Sequence, residues 1–459
     1  MTAAPSTSTR TNTTRTRNST VSQLDFTIER LDLPTHPSPL QFSHQQGDFK
    51  ANFVTDSQRV IYRVDVDLEG TAAPPQACEL LEVAGPRARI AFAAEEVAAG
   101  IVTCGGLCPG LNDVIRAIVL GLWHRYAIRS ISGFRYGFRG LLQEFNLEPL
   151  SLTPEVVDSI HHRGGTLLGS SRGHGDRTGA LVDRLEREKI NMLFVIGGDG
   201  TQKGALALFK ELKRRGRAAV VIGIPKTIDN DLSFVQRSFG FETSVSLAAE
   251  AVAGAHVEAS GAIDGVGIVK VMGRQSGFIA AQTTLANNDV NFCLIPEVPF
   301  ALKGDNGLCH HLEERLQSRG HAVILLAEGA GQPLLDELER TDASGNKKMA
   351  DIGLYVKAEI ARHFNDRQKH VNIKYIDPSY LIRSAPANAN DSVYCARLGT
   401  NAVHAAMTGR TGMLVSLIHD RFVHVPMRMA VSERNVINPD GSLWRDVLDA
   451  TGQPPLMTN

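Results

Sequence analysis

The sequence predicts an α/β fold, with parallel-type sheets flanked by helices and an N-terminal extension in front of them. The main observation is a recurring unit, from about residue 99 onward, in which a short apolar run ends in a glycine-rich turn and leads into a helical stretch. The second is bulk composition. The 459 residues are 43% hydrophobic and 21% charged, enough to bury a large core and too apolar for global disorder. At about 150 residues per domain, this length allows about three units or two large ones.

In order along the chain, the first 20 residues carry three arginines, many threonines and no acid, so a disordered tail is expected. The same composition leaves an organellar transit peptide open. Residues 21–98 read as an extension or arm, with short β-type alternation from Asn52 to Val66. Gly100–Cys104 then enters a Gly/Pro turn and a helix over about Asn112–Tyr126. Met192–Ile196 enters GGDGT and a helix over about Gln202–Arg215. Ala218–Ile224 enters PKTIDND, Val266–Val271 enters MGRQSG, and Ala322–Ala327 enters EGAGQ. In such sheets ligands sit beyond the carboxyl ends of the strands, where these turns fall.

Charge and cysteine content exclude other classes. Forty-eight Lys and Arg against 49 Asp and Glu leave a net charge of -1, which argues against a nucleic-acid binder working through bulk positive charge. No apolar run reaches the roughly 18 residues of a membrane span. Six cysteines do not make a disulfide scaffold, and a reducing cytoplasm is the expected setting.

Three turns carry chemistry. Gly105-Gly106-Leu107-Cys108-Pro109-Gly110 lets backbone approach an anion at a helix N-terminus; a plain tight turn is the competing reading. Gly197-Gly198-Asp199-Gly200-Thr201 lacks both the dinucleotide GxGxxG spacing and the Walker lysine. An acid in a glycine loop suits a nucleotide phosphate with Mg²⁺, although Asp199 could simply cap its own helix. Pro225 to Asp231 crowds two carboxylates, an amide, a hydroxyl and an ammonium after an apolar strand, an arrangement that is costly unless a polar ligand meets it. Such a carboxylate can accept a substrate proton. Arg274 and the Lys374–Arg383 stretch add cations suited to phosphate.

Together GGLCPGLNDVIR, GGTLLGSSRG, GGDGTQKGA, PKTIDNDL, GFETSV, MGRQSGFIA, IPEVPF, AEGAGQ and KYIDPSYLIR resemble the 6-phosphofructokinase family, from about Gly100 to Trp444. The subgroup it resembles is the longer ATP-using one typified by trypanosomatid and plant enzymes. The resemblance implies two Rossmann-like domains. One is ATP-binding (99–233 with about 386–420) and one binds fructose 6-phosphate (234–385), while 421–459 packs with the extension. It implies that Gly105, Arg172, Gly173, Gly198, Gly200 and Thr201 contact ATP, with Asp199 on Mg²⁺. Asp229 would be the base at the sugar C1 hydroxyl, assisted by Arg172 on the phosphoryl group and by Lys226, which would keep Asp229 ionised. Thr227, Ile228, Met272, Gly273, Arg274 and Glu328 would line the sugar site. Tyr380, Arg383 and Lys374 would hold the 6-phosphate. Gly200 and Lys226 bear on the donor: pyrophosphate-using members carry Asp in place of Gly200, yet share Lys226. ATP is the expected donor and pyrophosphate the alternative. Gly265 stands where short bacterial members place a cross-subunit Arg, which puts their allosteric scheme in doubt here. A homotetramer is expected.

Overall fold

The computed structural model describes residues 24–31, 35–65, 76–335 and 349–459. The N-terminal tail lies outside them. Two sheets organise the chain. The larger has nine strands. Its centre is five parallel strands, in the order Met413–Ile418, Val220–Pro225, Met192–Gly197, Ala98–Thr103 and Ser130–Phe134. Met192–Gly197 and Val220–Pro225 are buried along their whole length, as strands covered on both faces must be. The smaller sheet has four parallel strands, Phe292–Leu294, His321–Ala327, Gly265–Val271 and Asn372–Ile376.

Helices Leu111–Leu120, Phe241–Ser260 and Ala389–Met407 meet in one apolar core. Leu111–Leu120 starts at Gly110, whose φ of 96° is left-handed and which has Cys395 and Phe239 against its Cα, so glycine suits it on both counts. The helix then ends in a π-helical turn, Gly121–Arg125, instead of running on to Tyr126 as a regular helix. The helix after GGDGT starts earlier than the sequence indicates, at Asp199, because Gly198 is its cap. Asp391 is fully buried and closes the start of Phe241–Ser260, accepting from the amides of Gly240 (2.9 Å) and Thr243 (2.8 Å).

The extension adds strands instead of standing clear. Leu80–Val83 pairs with Arg421–Pro426, and Arg59–Ile61 pairs with Leu80–Val83. Buried Arg410 locks this edge, donating to Glu82 at 2.8 Å and Asp56 at 2.7 Å.

Candidate active site

Because Gly197 and Pro225 are register partners, the GGDGT and PKTIDND turns leave the sheet side by side. The Lys226 amide donates to the Gly197 carbonyl at 3.1 Å. Gln202 is buried beneath both turns, and its amide nitrogen donates to the carbonyls of Gly197 (2.9 Å), Ile224 (3.2 Å) and Val195 (3.3 Å). The first-turn amides at Asp199, Gly200 and Thr201 have no partner within their own helix, which makes this pole an anion site. The glycines differ in purpose. A Cβ on Gly197 would meet Thr201 at 2.4 Å, whereas one on Gly200 would meet nothing within 4 Å. Neither packing nor a left-handed φ demands glycine at 200, and the space beside its Cα is open.

The third turn joins these two. Gly105, at φ 93°, donates its amide to Ser171 at 2.9 Å and accepts from the Ser170 hydroxyl at 2.7 Å. That brings the Gly164–Gly173 segment, with Arg172 and Gly173, alongside. Lys226 is 5% exposed and donates to the Gly106 carbonyl at 2.8 Å. Burial pushes its ammonium pKa down, with Arg383 and Arg172 adding repulsion. A Cβ on Gly106 would lie 2.2 Å from an Arg383 nitrogen and 3.7 Å from one of Arg172. Three cations therefore gather on one glycine turn.

The acids sit on the other side of Lys226. Asp229 has one carboxylate oxygen, Oδ1, sealed from solvent and without a hydrogen bond. Burial, then Asp231 and Glu328, raise its pKa to about 7, against the Arg274 amide and Arg383. Asp231 accepts from the Thr227 hydroxyl at 2.7 Å, and Ile228 is buried beside them. Asp199 instead collects cations on Oδ2, from Lys203 at 3.0 Å and Arg434 at 3.3 Å. Arg434 also reaches Asp231 at 3.2 Å, so it ties the two acid turns together.

The small sheet supplies the far wall. Its turns after Gly265–Val271 and His321–Ala327 are knit by Gly329 donating to Gly273 at 3.0 Å and Glu328 donating to Val271 at 2.9 Å. Met272 is buried, and Gly273 has a φ of 121°. The Ser276 hydroxyl donates to the Asp229 carbonyl at 2.9 Å, and the Arg274 amide stands 3.5 Å from Asp229 Oδ2. The two sheets thus meet at Asp229.

Two expected residues lie apart. Lys374 is level with Gly267, in mid-strand, and its ammonium stands 3.9 Å from Glu258. Tyr380 is 82% exposed, while Arg383 on the same short helix turns in to Gly106. The Lys226 ammonium, expected to keep Asp229 ionised, donates to the Gly106 carbonyl, and Arg383 is a cation that lowers the Asp229 pKa. Gly265 admits no side chain, since a Cβ there would lie 2.0 Å from the Ala259 carbonyl. Sequence reasoning missed Arg434, Gln202 and Ser276. Gln202 and Ser276 carried a local hint, one following the GGDGT loop and the other inside the MGRQSG turn, whereas Arg434 carried none.

No cluster of three or more His, Cys, Asp or Glu able to hold a metal occurs among the described residues. A divalent cation at Asp199 would therefore need oxygens brought by a ligand, which is how Mg²⁺ is usually held beside nucleotide phosphates. Asp199 Oδ2, already drawing two cationic groups, fits that role.

Comparison with known proteins agrees with this geometry. A family profile described as phosphofructokinase matches residues 98–406. The chain is 53% identical over 444 residues to an ATP-dependent 6-phosphofructokinase of Borreliella burgdorferi, covering 95% of this chain and 98% of that protein. It is 45% identical to ATP-dependent 6-phosphofructokinase 4, chloroplastic, of Arabidopsis thaliana, covering 93% of this chain and 80% of that one. It is 43% identical to the ATP-dependent 6-phosphofructokinase of Trypanosoma cruzi, covering 94% and 88%. Among solved structures, a pyrophosphate-dependent phosphofructokinase from Marinobacter aquaeolei shares the fold, with TM-score 0.64, 20% identity, and coverage of 79% of this chain and 92% of that one. The chain belongs to the phosphofructokinase family.

Proposed function

We propose that the protein is an ATP-dependent 6-phosphofructokinase that moves the terminal phosphoryl of ATP to the C1 oxygen of fructose 6-phosphate, giving fructose 1,6-bisphosphate. The observation that carries this is the unsatisfied Oδ1 of Asp229, placed where both sheets and the two acid turns meet. A buried acceptor without a donor is costly, and a substrate hydroxyl would satisfy it. Its pKa of about 7 makes it half-ionised near neutrality, the range in which a general base works best. Glu328 faces Asp229 from the small sheet and would hold sugar hydroxyls. Met272, Gly273 and Arg274 would form the adjoining wall.

The donor would lie over the first-turn amides of Asp199, Gly200 and Thr201, beside Gly105 and Gly173, with Arg172 on its phosphates. Lys226 would act by fixing the Gly106 carbonyl and adding charge beneath the turn. Mg²⁺ held on Asp199 would neutralise charge on the phosphoryl being transferred. Arg383 would stabilise the same charge or grip the sugar phosphate, and Tyr380 would serve only if covered from outside. Lys374 has no part in this arrangement.

Purified protein assayed with fructose 6-phosphate and either ATP or pyrophosphate as sole donor tests the reading. Turnover with ATP is expected. Turnover with pyrophosphate alone, which Lys226 favours by resemblance, would replace it with a pyrophosphate-dependent enzyme. The homotetramer rests on resemblance and is checked by sedimentation; whether an allosteric effector acts is checked by the shape of the fructose 6-phosphate saturation curve. A cytoplasmic setting is supported by six unpaired cysteines, five of them buried. No helix among the described residues is long and apolar enough to cross a membrane.

A further inference from the structure

The segment Glu433–Ile437 lies beyond the residues matched by the family profile, yet it runs against the site. Arg434 bridges to Leu232 in an isolated antiparallel pairing. The Asn435 amide donates to the Asp231 carbonyl at 3.0 Å, and its side chain donates to Asn230 at 3.3 Å. The Ser233 hydroxyl donates to the Glu433 carbonyl at 3.0 Å. The Ile437 amide donates to Glu297 at 2.9 Å, on the oxygen that also accepts from Gly277 at 2.9 Å. One short strap is thus bonded to the PKTIDND turn and, through Glu297, to the MGRQSG turn. Its Arg434 side chain, 31% exposed, adds the GGDGT turn by spanning Asp199 and Asp231.

We propose that Arg434 is a positioning residue for phosphoryl transfer: its guanidinium sets the spacing between the donor-side acid Asp199 and the acceptor-side turn, and neutralises Asp231 beside the base Asp229. This rests on the function proposed above. A planar fork can serve two carboxylates at once, which a lysine ammonium does less well. The groups acting on the Asp229 carboxylate include Asp231, Glu328, Cys108, Arg383 and the Arg274 amide, while the Ser276 hydroxyl holds its backbone carbonyl. Of these, Asp231 is the one Arg434 touches. Without Arg434, an uncompensated Asp231 would hold the proton on Asp229 more tightly. Catalysis would then need a higher pH, and the two turns would lose the ion pairs that fix their spacing.

The test uses the full chain, with wild type, Arg434→Gln and Arg434→Lys assayed side by side for kcat, both KM values and the pH dependence of kcat. We expect Arg434→Gln to lose about 10- to 100-fold in kcat, the scale of a small misplacement, with fructose 6-phosphate KM changed less than about threefold. We also expect the acidic limb of its profile to move to higher pH. Arg434→Lys should restore the limb more fully than kcat. Asp231→Asn removes the charge from the other side and should move the limb to lower pH, with Arg434→Gln adding no further shift in that background. This variant keeps the test open should Arg434→Gln fold poorly. Ligand-free hydrogen exchange gives a readout apart from activity: peptides covering 197–203 and 226–233 should both exchange faster in Arg434→Gln. Wild-type kcat and an unmoved limb in Arg434→Gln would overturn the strap proposal. Wild-type protein with no fructose 6-phosphate-dependent ATP turnover would overturn the functional reading instead.

Discussion

The GGDGT and PKTIDND turns leave neighbouring strands at the same level, yet their acids live in opposite surroundings. Asp199 starts a helix and draws two cations, Lys203 and Arg434, onto one oxygen. Asp229 has one oxygen sealed and unpaired, and burial first, then Asp231 and Glu328, raise its pKa. Two carboxylates on one sheet edge thus differ: one is paired with cations, and the other is buried with a raised pKa. Environment, more than residue type, assigns the roles.

The largest effect should follow from removing the titrating member. Asp229→Asn keeps the shape and loses the base, and kcat should fall by about 10²–10⁴ with modest change in substrate KM. Steady-state kinetics with ATP and fructose 6-phosphate checks it, and near-normal turnover would remove Asp229 from the role. Next comes the donor side. Gly200→Asp puts a second negative charge where phosphate would lie; like charges cost several kcal/mol, so kcat/KM for ATP should fall by about 10²-fold or more. Unchanged ATP use would break the reading that position 200 lies against the donor phosphates. A smaller effect belongs to the buried amide that clamps both turns. Gln202→Leu removes the amide that the carbonyls of Gly197, Ile224 and Val195 share, and, although Gly197 keeps the Lys226 amide, it should cost about 1 kcal/mol in urea unfolding. The smallest effect has the opposite sign. Gly200→Ala adds a methyl in open space inside a helix and should stabilise by about 0.5–1 kcal/mol, while still impairing ATP use if the nucleotide passes close.

Much of this was legible in the chain. Apolar runs ending in glycine turns mark the parallel strands, and the acids within those turns mark the site, because both signals are local. What stayed hidden depends on distant partners. Arg434 meets Asp199 across 235 positions and Asp231 across 203, and its surroundings, SERNV, carry no turn or phosphate signal. Lys374 shares a cationic stretch with Arg383, but register places it in mid-strand, away from the carboxyl ends where ligands bind. The extension's described strands are two to four residues long, too short for periodicity to show, and Leu80–Val83 owes its pairing to Arg421–Pro426 and to the ion pairs of buried Arg410. Lys226 shares its turn with the acids, but the Gly106 carbonyl, distant in sequence, decides where its ammonium points.

The most direct test of the contrast between the two acids is the pH dependence of kcat/KM for fructose 6-phosphate, which reports groups of the free enzyme and the free substrate. The base must be deprotonated, so activity should fall as pH drops through about 7, the value expected for Asp229. The sugar phosphate titrates near pH 6 in any protein, so the decisive comparison is wild type against Asp231→Asn. The account predicts that the enzyme's limb lies near 7 in wild type and moves to lower pH when Asp231 loses its charge, while the phosphate limb stays fixed. A wild-type enzyme limb in the ordinary carboxylate range near 4, unmoved by Asp231→Asn, would contradict it.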